Sequence, residues 1–296
     1  MTGIICVNKG KDITSFGVVA KVRGILREKK AGHTGTLDPM ATGVLPVMLG
    51  GATRFLNYLP DSDKGYRARF MLGKTTDTLD ITGAVISQSR VDVTCDDVKR
   101  ILPAFSGEIS QVPPMYSAKS VDGKRLYQLA REGVEIEREP CLVNIKKLEL
   151  VDFCENEYTI DVFCSKGTYI RSLIDDIGKA LGCGAVMTAL TRTNAMGFGI
   201  EQSVGLDELQ KRKDENAGFD DLIFSVEEMF SDFERVYVSP AQAKRFSNGG
   251  ALDIDRIKKQ PVQNAPCCVY FDNLFLGLGQ NDGTQLNVLR LLTKRD

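Results

Sequence analysis

The spacing of hydrophobic residues predicts several β-strands. Residues 4–7 form a short apolar run, whereas residues 66–72 and 158–164 alternate between apolar and polar side chains, as strands with one buried face do. Residues 267–278 predict a hairpin that turns at an Asp-Asn pair, and residues 285–292 predict a last strand. We therefore expect a sheet early in the chain and a small β-rich tail.

Helices are predicted between these strands. Thr14 or Ser15 can cap a first helix, whose apolar residues recur at helical spacing. Its apolar residues are Phe16, Val18, Val19, Val22, Ile25 and Leu26. Further helices are expected at residues 96–102, 125–132 and 170–181, and another begins at Ser239-Pro240.

The order of these elements predicts an α+β fold with a mixed, largely antiparallel sheet, because strands and helices follow one another without regular βαβ spacing. Residues 211–221 are charged and weakly patterned, which predicts a linker there or just after. We accordingly expect a large domain at residues 1–232 and a small, mostly β module at residues 233–296.

Composition limits the classes of protein that this chain can belong to. Hydrophobic residues make up 43% of its 296 residues, and no apolar run reaches the ~20 residues that a membrane-spanning helix needs. Residues 1–9 lack the charged-then-apolar order of a signal peptide. These features predict a cytoplasmic protein that does not enter a membrane.

Charge is distributed unevenly, although the formal net charge is −1. Segment 9–30 holds seven Lys and Arg against two acidic residues, and segment 114–131 holds four against one. Local basic islands bind phosphates even when the total charge is near zero. Two solvated surfaces are the alternative interpretation.

Cysteine and histidine usage favours neither a metal site nor a hydrolase. The eight cysteines include no C-x-x-C pair, His33 is the only histidine, and no serine lies in a G-x-S-x-G sequence. Gly73-Lys74-Thr75 matches the end of a phosphate-binding loop, but poor helix formers follow it. We expect no metal and no cofactor, and ATP or GTP binding would reveal the alternative, a nucleotide hydrolase.

The loop at residues 32–43 carries the candidate chemistry. It reads G-H-T-G-T-L-D-P-M-A-T-G, and its glycines permit a close approach to a ligand. Pro39 restricts Asp38 to an extended conformation and so fixes the direction of its carboxylate. Taken alone, this pattern also fits an ordinary Gly- and Thr-rich turn.

The complete run G-H-T-G-T-L-D-P-M-A-T-G-V-L-P closely resembles the active-site motif of the TruB-type tRNA pseudouridine-55 synthases of bacteria. The resemblance continues in family order through residues 61–67, 73–83, 115–118 and 165–185, and it spans roughly residues 3–200. It implies the pseudouridine synthase fold, and a monomer that acts on the T stem-loop of tRNA without a cofactor, a guide RNA or a protein partner.

The family's functional residues carry over to matching positions of this chain. The resemblance implies that Asp38 is the catalytic carboxylate, that Tyr66 stacks on the target base and helps to remove its C5 proton, and that Arg171 pairs with Asp38. It also implies pocket or supporting positions at His33, Tyr169, Leu190, Arg54 and Asp80.

Two further segments resemble RNA-binding parts of this family. Residues 114–139 resemble an inserted thumb that closes over the RNA, and the thumb should present Lys119, Lys124 and Arg125 to phosphates. The tail from about residue 236 resembles a PUA-like RNA-binding module. Guide-dependent relatives share the active-site motif but lack the thumb, which disfavours a guided synthase.

The early part of the chain departs from the family pattern. Residues 9–15 read K-G-K-D-I-T-S, where the family usually reads Lys-Pro-x-Gly-x-Thr-Ser. We therefore expect looser packing behind the site. The joint presence of Asp38, Tyr66 and Arg171 nevertheless argues against a non-catalytic RNA-binding protein.

The reaction implied by the resemblance fits these residue types. Forming pseudouridine breaks the N-glycosidic bond, turns the base and rejoins it through C5, which requires no redox step. An ionised carboxylate serves as nucleophile or general base, and a neighbouring arginine favours that ionised form. Flipping the base out costs a few kcal/mol, of which an aromatic platform offsets ~1–3 kcal/mol. The residues leave open attack at the sugar C1′ or at the base C6.

Overall fold

The computed structural model describes residues 1–121, 123–154 and 156–292. The strands of these residues are β1 (Gly3–Lys9), β2 (Ala31–His33), β3 (Thr42–Leu49), β4 (Lys64–Leu72), β5 (Lys74–Thr76), β6 (Val85–Gln88), β7 (Gly107–Gln111), β8 (Ser120–Val121), β9 (Lys124–Arg125), β10 (Cys141–Cys154), β11 (Glu157–Cys164), β12 (Ala185–Ala195), β13 (Phe198–Gly199), β14 (Val204–Gly205), β15 (Ile223–Phe224), β16 (Glu234–Tyr237), β17 (Leu252–Asp253), β18 (Pro266–Phe271), β19 (Leu274–Asn281) and β20 (Gln285–Leu291). The helices are α1 (Ser15–Leu26), α2 (Cys95–Ile101), α3 (Leu126–Arg131), α4 (Ile170–Ala180), α5 (Leu206–Asp214) and α6 (Pro240–Ser247). Short 3-10 segments lie at Gly50–Tyr58, Leu102–Phe105, Ile200–Gln202, Asp220–Leu222, Glu227–Phe230 and Ile254–Arg256.

The main sheet runs in the order β14-β1-β3-β12-β4-β11-β10-β7. Its pairs are antiparallel except for β1 with β14 and β3 with β12, which are parallel. The prediction of an α+β fold with a mixed, largely antiparallel sheet is therefore confirmed.

Strand β4 lies inside this sheet and shows the predicted alternation. Its residues Ala68 and Phe70 are fully buried, and they belong to the same core as the apolar face of α4. On the other face, Arg67 and Arg69 are exposed and form ion pairs with acidic residues of β11. Exposed ion pairs of this kind contribute little to stability, so the burial of the alternate face holds β4 in place.

The structure corrects two predictions about helices. Phe16 was placed on the buried stripe of α1, but it is 72% exposed. A helix turns by about 100° per residue, so Phe16 lies opposite Val18 and Ile25, which are buried. The predicted linker at 211–221 begins inside helix α5, which buries Leu209 against the core below α1.

The tail forms a second sheet in the order β16-β18-β19-β20-β17, with α6 packed on it. As predicted, Ser239 caps α6 and β18 and β19 form a hairpin. One hydrophobic cluster joins tail residues such as Phe275 to Phe55 and Phe230, which precede residue 232. The boundary at residue 232 stays a prediction. Among the described residues, no helix has the length and apolar character needed to cross a membrane.

Candidate active site

Asp38 lies in the loop between β2 and β3, and a buried lysine holds this loop from behind. Lys9, at the end of β1, is fully buried, and its Nζ donates hydrogen bonds to the carbonyl oxygens of Gly10 (2.9 Å), Pro39 (3.0 Å) and Ala41 (2.5 Å). Burial lowers the pKa of Lys9 to about 8, while the nearby Asp38 carboxylate opposes this shift. The main chain on the C-terminal side of Asp38 is thus fixed by one amine.

The segment between β1 and α1 also fastens this loop. The hydroxyl of Ser15 accepts a hydrogen bond from the N–H of Leu37 (2.8 Å) and donates one to its carbonyl oxygen (3.0 Å). The backbone N–H of Asp12 donates to the carbonyl of Pro39 (2.9 Å). Contacts from Ser15 and Asp12 thus hold the Asp38 loop from the segment that departs from the family pattern, and the expectation of looser packing behind the site stays a prediction.

Arg192 of β12 holds the other end of the loop. This side chain is 1% exposed, and it donates to the carbonyl oxygens of Val44 (2.7 Å), Gly35 (3.2 Å) and Thr36 (3.4 Å). It also hydrogen-bonds the side chain of Tyr66, an interaction that opposes the lowering of its pKa by burial. Arg192 is not among the site residues that the sequence predicts. Its position two residues after Leu190, on the same face of an apolar strand, was the available signal.

Arg171, the second residue of α4, brings two carboxylates together. Its Nε lies 3.0 Å from Oδ2 of Asp38 and 4.0 Å from Oδ2 of Asp80. The remaining guanidinium nitrogens donate to the carbonyl oxygens of Thr78 (2.9 Å) and Tyr116 (2.7 Å). Arg171 is 5% exposed, so these contacts fix its position and, through it, the Asp38 carboxylate.

Burial governs the ionisation of both key side chains. It raises the pKa of Asp38, as does Asp80, whereas Arg171 and Lys9 act in the opposite direction. Burial likewise raises the pKa of Tyr66, which therefore stays a neutral phenol near pH 7. Asp80 itself accepts hydrogen bonds from Thr78 and Thr82, which accounts for its place behind the site.

A cleft opens above the Asp38 carboxylate, and five of the predicted site residues line it. These are Asp38, Tyr66, Tyr169, Arg171 and Leu190. Three other predicted residues lie elsewhere. Asp80 sits behind Arg171, His33 lies in β2, and Arg54 lies in the 3-10 segment Gly50–Tyr58, and none of these three lines the cleft.

The predicted thumb, residues 114–139, consists of the β8–β9 hairpin, helix α3 and irregular chain as far as it is described. Lys124 and Arg125 are exposed on the hairpin. Lys119 instead donates to the sulfur of Cys141 (2.8 Å) and does not line the cleft. The side chain of Gln111, at the thumb's base, bonds both the N–H and the C=O of Tyr169 (2.7 and 3.1 Å). The thumb base and the start of α4 are thus joined directly.

The structure does not build a phosphate-binding loop at Gly73-Lys74-Thr75. Gly73 adopts a φ of 81°, and the chain continues as strand β5 instead of the helix that such a loop requires. Within the described residues, no group of three or more His, Cys, Asp or Glu side chains is placed to hold a metal ion.

Chains of known structure share this fold. A chain of a Cbf5-Nop10-Gar1 complex matches 100% of this chain and 86% of its own length, with a TM-score of 0.76 and 26% identity. A chain of an H/ACA RNP bound to a substrate RNA containing 2′-deoxyuridine matches over the same shares, with a TM-score of 0.74 and 25% identity.

Relatives in sequence cover nearly the whole chain. A protein of Clostridium tetani (strain Massachusetts / E88), named tRNA pseudouridine synthase B, is 41% identical over 293 residues, 99% of this chain and 100% of its own. The protein of the same name from Pseudomonas fluorescens (strain Pf0-1) is 47% identical over 285 residues, 95% and 92% of the two chains.

The fold, the cleft and these matches define a pseudouridylate synthase, and the chain is an enzyme of that class. A profile described as TruB family pseudouridylate synthase (N terminal domain) matches residues 23–170, and one described as tRNA pseudouridylate synthase B C-terminal domain matches residues 171–231. The chain belongs to the TruB family. The resemblance expected from the sequence is thereby confirmed.

Proposed function

We propose that this enzyme isomerises a uridine of tRNA, uridine 55 of the T-loop, to pseudouridine, with Asp38 as the catalytic carboxylate. The names of its relatives support a tRNA substrate. One observation supports Asp38 as the catalytic carboxylate most directly. Its side chain is 34% exposed and lines the cleft, while the arginine that orients it is almost fully buried.

The geometry supports a division of labour among three side chains. Asp38 attacks the flipped nucleotide in its ionised form, and Arg171 favours that form by an ion pair that burial strengthens. Product formation breaks the N1–C1′ bond, forms the C5–C1′ bond, moves one proton from C5 to solvent and adds one proton from solvent to N1, so that substrate and product are isomers. Tyr66 supplies a platform for the base, and its neutral phenol fits stacking better than proton removal.

The surroundings of the cleft support RNA binding by a single chain. Lys124 and Arg125 are exposed on the thumb hairpin, where they are free to approach phosphates. We infer that the enzyme works as a cytoplasmic monomer and that its thumb and tail replace a guide RNA or protein partner. Arg54 and His33 would then support the RNA outside the cleft.

Pseudouridine mapping on tRNA tests this proposal. Purified enzyme is incubated with an unmodified tRNA transcript and with the same transcript carrying cytidine at position 55, and pseudouridine is located by carbodiimide labelling and primer extension. We expect one modified position, absent from the cytidine transcript and from reactions with Asp38→Asn. Modification at other positions, or full turnover by Asp38→Asn, would contradict the proposal.

A further inference from the structure

Ser117, at the base of the thumb, carries a buried hydroxyl that bonds to no other group in the described part of the chain. The residue is 5% exposed and lines the cleft together with Asp38 and Tyr66. Among the described residues, its Oγ is buried without any hydrogen-bond partner. Buried polar groups are nearly always hydrogen-bonded, so this one requires an explanation.

The backbone of Ser117 gives no reason for a serine at this position. Its N–H donates to the carbonyl of Met115 (2.9 Å), and its carbonyl accepts from the N–H of Tyr127 (3.1 Å). An alanine would make both bonds equally well. Two other buried serines near the site, Ser15 and Ser172, use their hydroxyls on main-chain groups of the protein. Ser117 therefore differs from them in leaving its hydroxyl unpaired.

Ser117 is also close to the reacting carboxylate. The carbonyl of Tyr116, the preceding residue, accepts from the guanidinium of Arg171, and the same guanidinium holds Asp38. Ser117 thus directly follows a residue that helps to hold Arg171, and it lines the same cleft as Asp38. Uridine offers matching groups, since its base carbonyls and ribose hydroxyl are all hydrogen-bond acceptors.

We propose that the Ser117 hydroxyl hydrogen-bonds the target uridine and so fixes it against Asp38. This inference rests on the proposed function and adds a residue that positions the substrate. An unpaired buried hydroxyl destabilises the free enzyme, and a hydrogen bond to the substrate removes that cost in the complex. The position therefore exchanges some stability of the free protein for substrate binding, as functional sites often do.

Ser117→Ala separates this role from a structural one, because the two roles predict opposite changes in stability. We expect kcat/KM for pseudouridine formation on tRNA to fall about 10-fold. We also expect the Tm to stay level or rise, since no protein bond is lost. The Kd for tRNA should change little, because many phosphate contacts set it. Ser120→Ala, an exposed serine on the same thumb, is the matched control and should leave all three quantities unchanged.

A second pair of variants isolates the hydroxyl from side-chain shape. Ser117→Thr and Ser117→Val have nearly the same shape, and we expect the threonine variant to be the more active. A lower Tm for Ser117→Ala, an unchanged kcat/KM, or equal activity of the Thr and Val variants would each overturn the assignment while wild-type enzyme still modifies tRNA. If wild-type enzyme forms no pseudouridine, the proposed function fails first and this inference falls with it.

Discussion

The ring of Phe55 lies 6.1 Å from the ring of Phe275, although one belongs to the part of the chain that carries the active site and the other to the tail. Phe55 is fully buried and also contacts Phe230, at 5.9 Å between ring centroids. These separations lie within the range of directly packed aromatic pairs. The two sheets of this enzyme therefore share one buried hydrophobic cluster.

Phe275→Ala should consequently destabilise the whole chain. We expect the free energy of unfolding to fall by about 3 kcal/mol, as for other large-to-small changes in a core. Calorimetry should show one transition shifted to lower temperature, and the control Leu274→Ala, on a half-exposed neighbour, should shift it little. Two separate transitions, with only one of them moved, would show that the tail folds independently.

The pH dependence of the reaction should reflect the partly buried position of Asp38. Burial raises the pKa of this carboxyl above its ordinary value of 3.8, against the opposing effect of Arg171. A raised pKa means that the protonated, unreactive form persists to higher pH. Single-turnover rates should thus decline with falling pH before an ordinary Asp would begin to titrate. A profile that stays flat down to about pH 4 would contradict this expectation.

Replacing Arg171 should affect stability as well as activity. Arg171→Ala removes bonds to Thr78 and Tyr116 and leaves Asp38 beside Asp80 without its cation. We expect the free energy of unfolding to fall by about 3 kcal/mol. This is the low end of the range for a broken buried ion pair, because Asp38 is partly exposed. Activity should fall at least about 100-fold.

Arg171→Lys provides the comparison for this prediction. It keeps the charge but not the fork of donors, so its stability should lie between those of wild type and Arg171→Ala. Thermal unfolding and single-turnover rates measure both effects. An alanine variant as stable as wild type would show that the guanidinium bonds contribute nothing to the fold.

Arg192 is expected to act on catalysis by holding the Asp38 loop. A lysine at this position cannot bond the carbonyls of Gly35, Thr36 and Val44 together. Arg192→Lys should lower kcat by about 10-fold or more, while the Kd for tRNA stays within a few-fold. Arg67→Ala, an exposed arginine on the neighbouring strand, is the control. A change confined to tRNA affinity would assign Arg192 to RNA binding instead.

The thumb cations should appear in the salt dependence of binding. Changing Lys124 and Arg125 together to alanine should weaken tRNA binding at low salt and flatten the slope of log affinity against log salt by about one to two units. The chemical step should change less. The control changes Lys99 and Arg100, which already pair with acidic residues of α2. Equal salt slopes for wild type and the thumb variant would show that Lys124 and Arg125 face solvent and do not contact phosphates.

Local patterns were sufficient to predict β1, β4, β11, the β18–β19 hairpin, β20, most helices and the loop that carries Asp38, but not the central strands β3, β10 and β12. Alternation in β4 and the Gly- and Pro-rich sequence around Asp38 are properties of a few adjacent residues. Arg192 is different, because its role depends on β12 pairing with β3, and its partner Val44 lies 148 positions away. Arg171 was expected beside the apolar stripe of its helix, and its partners Thr78, Tyr116 and Asp38 come from three distant parts of the chain.

Lys9, Arg192 and the backbone of Asp12 all hold the Asp38 loop through its main-chain oxygens. Oxygens of the main chain are present whatever side chains the loop carries, so these contacts place no demand on the identity of the loop's residues. The loop can therefore accept a different reactive group at its centre without losing its anchorage. The region is therefore suited to redesign, in which Glu or Cys replaces Asp38 while the surrounding enzyme stays folded.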